Sequence, residues 1–387
     1  MKKKILFVLL SIFFYQNCKA FDTTLTTQIL NQIHALQVKE SGVFPKGMFP
    51  SYRLYALNQD RFKADINPFY TGLILFTLNK IKNKLTPYQQ LIVDSIAIKA
   101  TASFNKFKNA KGRNTFNFWP TDTVKIFPNS GLLNYFDKIN SMPDDMDDTV
   151  ILLMAMNTDK SIAQQVHILM QDFINGRNGK IKNTLHSNRE LPAYSVWFGQ
   201  KMPIDFDVSV LSNVLYFVQY YNLPFTKADS ASLDVIINVI KEKKHLTAAS
   251  YVSPHYATSE IILYHLSRLM SLKPISELEI LKPILIEQTR ALQLKSQSFI
   301  NQVLLSSSLL NWGVQPTSFT YNNVEDLNNF IQDDPFTMFT ANIFSMYPDQ
   351  IKKIGTSLKL GLFNYYSPAY NYTLVLENII LNHHQAQ

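Results

Sequence analysis

The stretch Pro143–Met156, PDDMDDTVILLMAM, decides how the rest of this chain is read, because four aspartates stand directly in front of an apolar run. Carboxylates at a helix entrance are stabilised by unsatisfied amide N–H groups and by the helix macrodipole, so the pattern predicts an acidic mouth on a buried helix. One helix needs only one cap. Four clustered carboxylates repel one another, and crowding raises some of their proton affinities. A carboxyl kept protonated near neutral pH is what general acid catalysis uses. A second copy follows: Asp145-Met-Asp147-Asp148-Thr149-Val150-Ile151 lines up with Asp205-Phe-Asp207-Val208-Ser209-Val210-Leu211, again ahead of an apolar run. The chain repeats a unit.

Outward from these two stretches, segments that are apolar nearly all round alternate with segments carrying a single apolar stripe. Asp148–Asn157 is of the first kind, and Asp159–Phe173, with Ile162, Val166, Leu169 and Phe173 on one face, is of the second. Asp207–Tyr221 and Thr226–Lys243 repeat the pair, as do Phe69–Ile81 with Tyr88–Phe107 and Tyr256–Met270 with Ser276–Leu294. Phe299–Trp312 and Pro335–Tyr347 read as two further all-round apolar helices, and Tyr372–Leu381 closes the chain. Strand-like alternation is nearly absent. The expectation is an all-α fold, a single (α/α) toroid of about six helical hairpins over residues 21–387. Gly42–Tyr52, Lys111–Asn140 and Gly313–Asn323 read as connections, and long ordered connections are often functional.

Composition bounds the rest. Lys2, Lys3 and Lys4 precede an apolar segment, Ile5–Tyr15, too short to span a bilayer, and Cys18-Lys19-Ala20 offers small residues at a cleavage site. Residues 1–20 are expected to be a secretory signal peptide, and the mature chain an exported protein, periplasmic or secreted. A lipid anchor on Cys18 is the less favoured reading, because Tyr15-Gln16-Asn17 lacks a small residue just before it. Lys2, Lys3, Lys4 and Lys19 carry four of the formal +8 charges, which leaves +4 and no argument for a nucleic-acid partner. With Cys18 the only cysteine, neither disulfides nor thiol chemistry is expected. Stability must come from a core, which a chain 46% hydrophobic can supply.

In such a ring the inner helices run parallel, and their entrances gather Asn67, Asp145, Asp147, Asp148, Asp205, Asp207, His255 and Asp334 at one end. Asp and Asn are ordinary caps worth about 1 kcal/mol. For Asp65, Asn67 and Asp334 that reading is preferred. Asp144, Asp145, Asp147 and Asp148 are the candidate catalytic residues. Trp119, Tyr194, Trp197, Phe198, Asp205, Asp207 and His255 are the candidate substrate-binding residues, on the ground that aromatic rings near the mouth suit carbocations or sugar faces and equally suit core. No Gly-rich phosphate loop, HExxH pair or GxSxG turn is present.

Asp145-Met-Asp147-Asp148-Thr149 resembles the DxDDT core of class II terpenoid cyclases such as squalene-hopene cyclase, whose α/α toroids stack inner and outer helices. The resemblance implies a metal-free and cofactor-free acid. It makes Asp147 the proton donor to an isoprenoid alkene or epoxide, with Asp145 and Asp148 as supporting carboxylates. Asp144-Asp145 resembles the acid pair of secreted α/α-toroid glycosidases such as bacterial endo-mannanases and unsaturated glucuronyl hydrolases. That resemblance implies two carboxylates acting on a glycan. Asp144, Asp145 and Asp148 also fit the DDxxD motif of class I isoprenoid enzymes, but no second metal motif accompanies it, so no metal is assigned. A toroid that binds without catalysis is the third reading. The expected partner is a small-molecule or glycan substrate. No later segment is expected to span a membrane, while peripheral contact with one stays open.

Overall fold

A computed structural model describes residues 23–123, 125, 142–200, 202–317 and 324–385. The expected signal peptide at 1–20, with Cys18, lies outside the described residues, as do most of Lys111–Asn140 beyond residue 125 and the end of Gly313–Asn323.

The chain is helix-rich. Helix α1 is Thr23–Leu36, α2 Phe69–Ile81, α3 Pro87–Ser103, α4 Met146–Ala155, α5 Lys160–Met170, α6 Val208–Tyr220 and α7 Lys227–Lys241. After two one-turn helices at Lys244–Thr247 and Ala249–Val252 come α8 Ser259–Leu272, α9 Ser276–Gln293, α10 Phe299–Asn311, α11 Val324–Asp333, α12 Asp349–Ser357 and α13 Pro368–Gln385. Their starts follow local chemistry. Thr86 and Gln89 form a reciprocal capping box with Pro87 in the first turn of α3, and Thr226 and Asp229 form another on α7. Thr258 and Ser298 cap α8 and α10 through their hydroxyls.

The alternation of two helix types is present. Every residue of α4 is buried, as are Val208–Gln219 of α6, Ile261–Met270 of α8 and Ala369–Asn378 of α13. By contrast α3, α5 and α9 bury one stripe each, for example Ala163, Val166, His167 and Met170 on α5. Among the all-round apolar helices, α2 packs on α4, α4 on α6, α6 on α8, α8 on α10 and α10 on α13. α13 in turn packs on α2. Striped helices lie against them, α3 on α2, α7 on α6 and α9 on both α8 and α10.

Three expectations fail. The fold is not purely helical: β1 Tyr52–Tyr55, β2 Asn58–Ala64, β3 Phe339–Asn342 and β4 Leu362–Tyr366 form one antiparallel sheet in the order β2-β1-β4-β3. Its register places Tyr52 opposite Tyr366 and Phe339 opposite Tyr365. Pro335–Tyr347 is accordingly not a helix, since its apolar run supplies β3 and a loop, and the sixth all-round apolar helix is α13. A short apolar run rich in Phe and Thr has no period that separates a buried helix from a strand. The helix expected over Tyr256–Met270 starts instead at Ser259, so Tyr256 lies ahead of α8 and His255 further ahead.

Candidate active site

The entrance to α4 is clamped by two extended segments. Phe116 and Trp197 pair with Asp145 from either side, through bonds from Asp145 N–H to Phe116 O (2.9 Å) and from Met146 N–H to Val196 O (2.9 Å). The Thr149 hydroxyl accepts from Phe116 N–H at 2.9 Å. This local pairing carries the aromatic segments 116–119 and 194–198 to the acidic stretch, although nearly eighty residues of chain separate them.

Within the stretch the four carboxylates have four different environments. Asp145 is the cap: its Oδ1 accepts from the N–H groups of Asp147 (2.7 Å) and Asp148 (3.0 Å). Asp147 sits one step inside, buried, where Oδ1 accepts from Asn213 Nδ2 at 2.7 Å and Oδ2 accepts from the Tyr256 hydroxyl. Asp148 is buried with its Oδ1 unpartnered among the described residues. Asp144 points away, bonded to Asn109 Nδ2 (2.5 Å), Arg113 (3.3 Å) and the Thr115 hydroxyl. Burial pushes the Asp145 carboxyl up to about 6 despite the two amide donors, and pushes Asp147, with the neighbouring Asp145 charge, up to about 7. Asp148 is raised well above the ordinary carboxylate value by burial and by the Asp145 and Asp147 charges.

Behind Asp147 a polar column runs between the apolar helices. Arg268 of α8 donates to Asn213 Oδ1, which turns the Asn213 amide N–H toward Asp147. The guanidinium stacks over Phe76 at 5.1 Å and Tyr264 at 5.4 Å from the ring centres. Tyr264 donates to Glu377 at 2.6 Å, and Lys80 pairs with the same carboxylate at 3.0 Å.

The second acidic copy is built differently. Asp207 caps α6, accepting from Ser209 N–H (2.8 Å) and Val210 N–H (3.2 Å), and takes two more donors, the Ser253 hydroxyl (2.6 Å) and His255 N–H (2.8 Å). Asp205 lies between His255 Nε2 (3.7 Å) and Lys352 Nζ (3.9 Å), all three buried. Burial works to raise the Asp205 carboxyl, but Lys352 and then His255 outweigh it and hold it below the ordinary carboxylate value. Burial likewise opposes charge on His255, yet Asp205, Asp207 and Asp145 push it up to about 9, so it is an imidazolium at neutral pH.

A cavity of about 60 Å³ opens beside Asp145, lined by Phe118, Trp119, Trp197, His255, Phe339 and Tyr365 and by the loop carrying Ile343, Ser345 and Met346. The expected site residues therefore separate into groups. Asp145, Trp119, Trp197 and His255 share this pocket; Asp147 and Asp148 lie beneath it in the core. Asp205 and Asp207 are fully buried supports of His255, without a place on the pocket wall. Tyr194 is not a wall either: its hydroxyl bonds Asp229 Oδ1 (3.0 Å) beside the His167–Asp229 pair. Phe198 packs edge-on against Phe173 in the core. Asp144 borders a separate outer cleft with Lys111 and Arg113.

Sequence reading missed Asn213, Arg268 and Glu377, whose signal was available: a lone polar or charged residue inside an all-round apolar helix must have a buried partner. Lys352 had no such signal, sitting on an ordinary amphipathic helix. No helix among the described residues is long and apolar enough to cross a membrane. Comparison with known protein families, curated proteins and solved structures returns no match.

Proposed function

We propose that α2, α4, α6, α8, α10 and α13 form the inner ring of a single α/α toroid, and that the protein is an exported acid-catalysed enzyme similar to class II terpenoid cyclases. The circuit of neighbouring helices supports the first part. The second rests on one observation: Asp145, a carboxyl that binds its proton in the neutral range, borders an aromatic pocket with Asp147 directly behind it.

The donor is placed on Asp145, one step outward from the residue the resemblance implies, because a proton donor has to reach its substrate and Asp147 is sealed beneath Tyr256 and Asn213. Oδ1 of Asp145 is committed to two amides, which leaves Oδ2 to carry the proton. Transfer to an alkene carbon uses the π electrons for the new C–H bond, leaves Asp145 as carboxylate and leaves a carbocation facing Phe118, Trp119, Trp197 and Phe339. Asp147, with its higher proton affinity, holds a proton beside the emptied Asp145. The glycosidase reading needs Asp144 and Asp145 to share a substrate, and the two carboxyls border different cavities.

The test is incubation of wild type and Asp145→Asn with panels of linear isoprenoids and polysaccharides, with products read by mass spectrometry. Cyclised product at pH 6 that declines above pH 7 and vanishes in the variant is the expected result. Release of reducing sugar overturns it in favour of the hydrolase, and inertness toward both panels favours a binding or scaffold role.

A further inference from the structure

The chain contains three tryptophans, and their indole N–H groups are not alike. Trp119 Nε1 donates to Asp65 Oδ1 at 3.0 Å, and Trp312 Nε1 is satisfied by Met270 Sδ at 3.3 Å. Trp197 borders the pocket, and its Nε1 is buried with no hydrogen-bond partner among the described residues. Beside it stands His255, its ring edge-on to the indole with centres 6.1 Å apart. The Nδ1 side of His255 is engaged with the Thr340 carbonyl at 3.3 Å. Its Nε2 keeps the ion pair with Asp205 Oδ2 at 3.7 Å, longer than a hydrogen bond, and among the described residues makes no hydrogen bond. Two residues of the pocket wall therefore carry a buried N–H with no hydrogen bond, alongside the Ser345 and Tyr365 hydroxyls, which are likewise unpartnered among the described residues, and a buried donor left this way is stabilised by an acceptor that completes it.

We infer that this pocket recognises a neutral oxygen acceptor, a carbonyl, ether or hydroxyl carried on an apolar skeleton, held between Trp197 Nε1–H and His255 Nε2–H. A bare hydrocarbon leaves both donors unpaired. An anion is disfavoured, because Asp145 borders the same pocket and Asp205 and Asp207 stand behind His255. The volume of about 60 Å³ takes the oxygenated end of a molecule, well below the roughly 300–1,000 Å³ of pockets that enclose whole ligands. The inference rests on the acid-pocket reading only in placing the bound oxygen next to Asp145; the recognition itself is independent of any turnover.

The test uses the full chain labelled with ¹⁵N-tryptophan, titrated with cyclohexanone, methylcyclohexane and acetate. The Trp197 indole resonance is assigned by its loss in Trp197→Phe, and Trp119 and Trp312 serve as internal references. Cyclohexanone is expected to move the Trp197 N–H signal downfield and saturably, with methylcyclohexane at least about ten-fold weaker. Trp197→Phe, which keeps a ring and loses the donor, should weaken cyclohexanone about 3- to 30-fold, followed by line shapes of the probe, and leave methylcyclohexane unchanged. Equal binding of the hydrocarbon, a stronger response to acetate, or no response to any probe each overturns the inference, the last because water then completes the donors. A Trp197 response that survives in Asp145→Asn, in a protein inert toward every isoprenoid, overturns the acid reading and leaves this one standing.

Discussion

The two acidic helix entrances look like copies in the sequence and are not copies in space. Aligned by residues, Asp145 matches Asp205 and Asp147 matches Asp207; aligned by the helix each precedes, Asp145 and Asp207 are the caps. The register of the repeat is displaced by two residues. At α6 the cap is saturated by four donors and lies fully buried, so its charge is spent on holding Ser253 and His255. At α4 the cap takes two amides and faces a pocket, while a second carboxyl follows inside the first turn. The lesson is that a carboxylate's use follows from how many donors already claim it, more than from the motif around it.

The largest expected effect separates the two caps by chemistry. Asp145→Asn should lower turnover by about two to four decades with melting nearly unchanged, since asparagine caps about as well as aspartate. Asp207→Asn should lose turnover only as far as it loses folded protein. Equal rate loss per folded molecule at both positions, read by active-site-independent folding assays alongside kinetics, would break the distinction. Next, alanine separates them by stability. Asp207→Ala leaves Ser253, His255 N–H and two amides unpaired and should cost about 3–5 kcal/mol in urea unfolding, against about 0.5–2 kcal/mol for Asp145→Ala.

A third expectation concerns pH. Asp145 and Asp147 hold protons in the folded state up to about 6 and 7, above the ordinary 3.8, so the folded chain binds more protons than the unfolded one between those values. Stability therefore falls as pH rises from about 4 through 7. His255, raised from 6.5 to about 9, adds stability that is complete below 6.5 and is lost on rising to 9. Asp205 acts oppositely, its contribution disappearing only as acid reaches its lowered value. The melting temperature should decline from pH 5 to pH 9, and Asp147→Asn should flatten the part below pH 8. A melting temperature that rises over that range contradicts the buried-acid picture. The smallest effect is Tyr256→Phe, which removes one donor from Asp147, costs about 1 kcal/mol and moves the Asp147 part of the decline to higher pH.

Much of this was legible in the sequence. Five of the six all-round apolar helices, their striped companions and the position of the acidic mouth follow from periodicity and capping. Trp119 and Trp197 were singled out by the aromatic content of neighbouring connections and His255 by its place ahead of a helix, and all three line the pocket beside Asp145. What sequence did not carry is long-range pairing. Nothing in Tyr52–Tyr55 announces that its partner is Leu362–Tyr366, and nothing in Phe339–Asn342 announces that the same strand pairs with it on the other side and makes it a strand. Tyr194 and Phe198 illustrate the converse: aromatic residues beside a site are drawn into core whenever a partner such as Asp229 or Phe173 is closer than the cavity.

The last helix packs against the first apolar one, and the last strand pairs with the first. During synthesis α2 and β1 therefore leave the ribosome long before the segments that cover them. One flank of α2 stays greasy and one sheet edge stays bare until β4 and α13 are released. Such an intermediate is slow to complete and is the kind of species that chaperones hold and proteases clip. The same geometry makes the pocket a late product of synthesis. Phe339 and Tyr365, two of its walls, lie far downstream of α4, so a nascent chain can display the acid of α4 before it can enclose anything beside it.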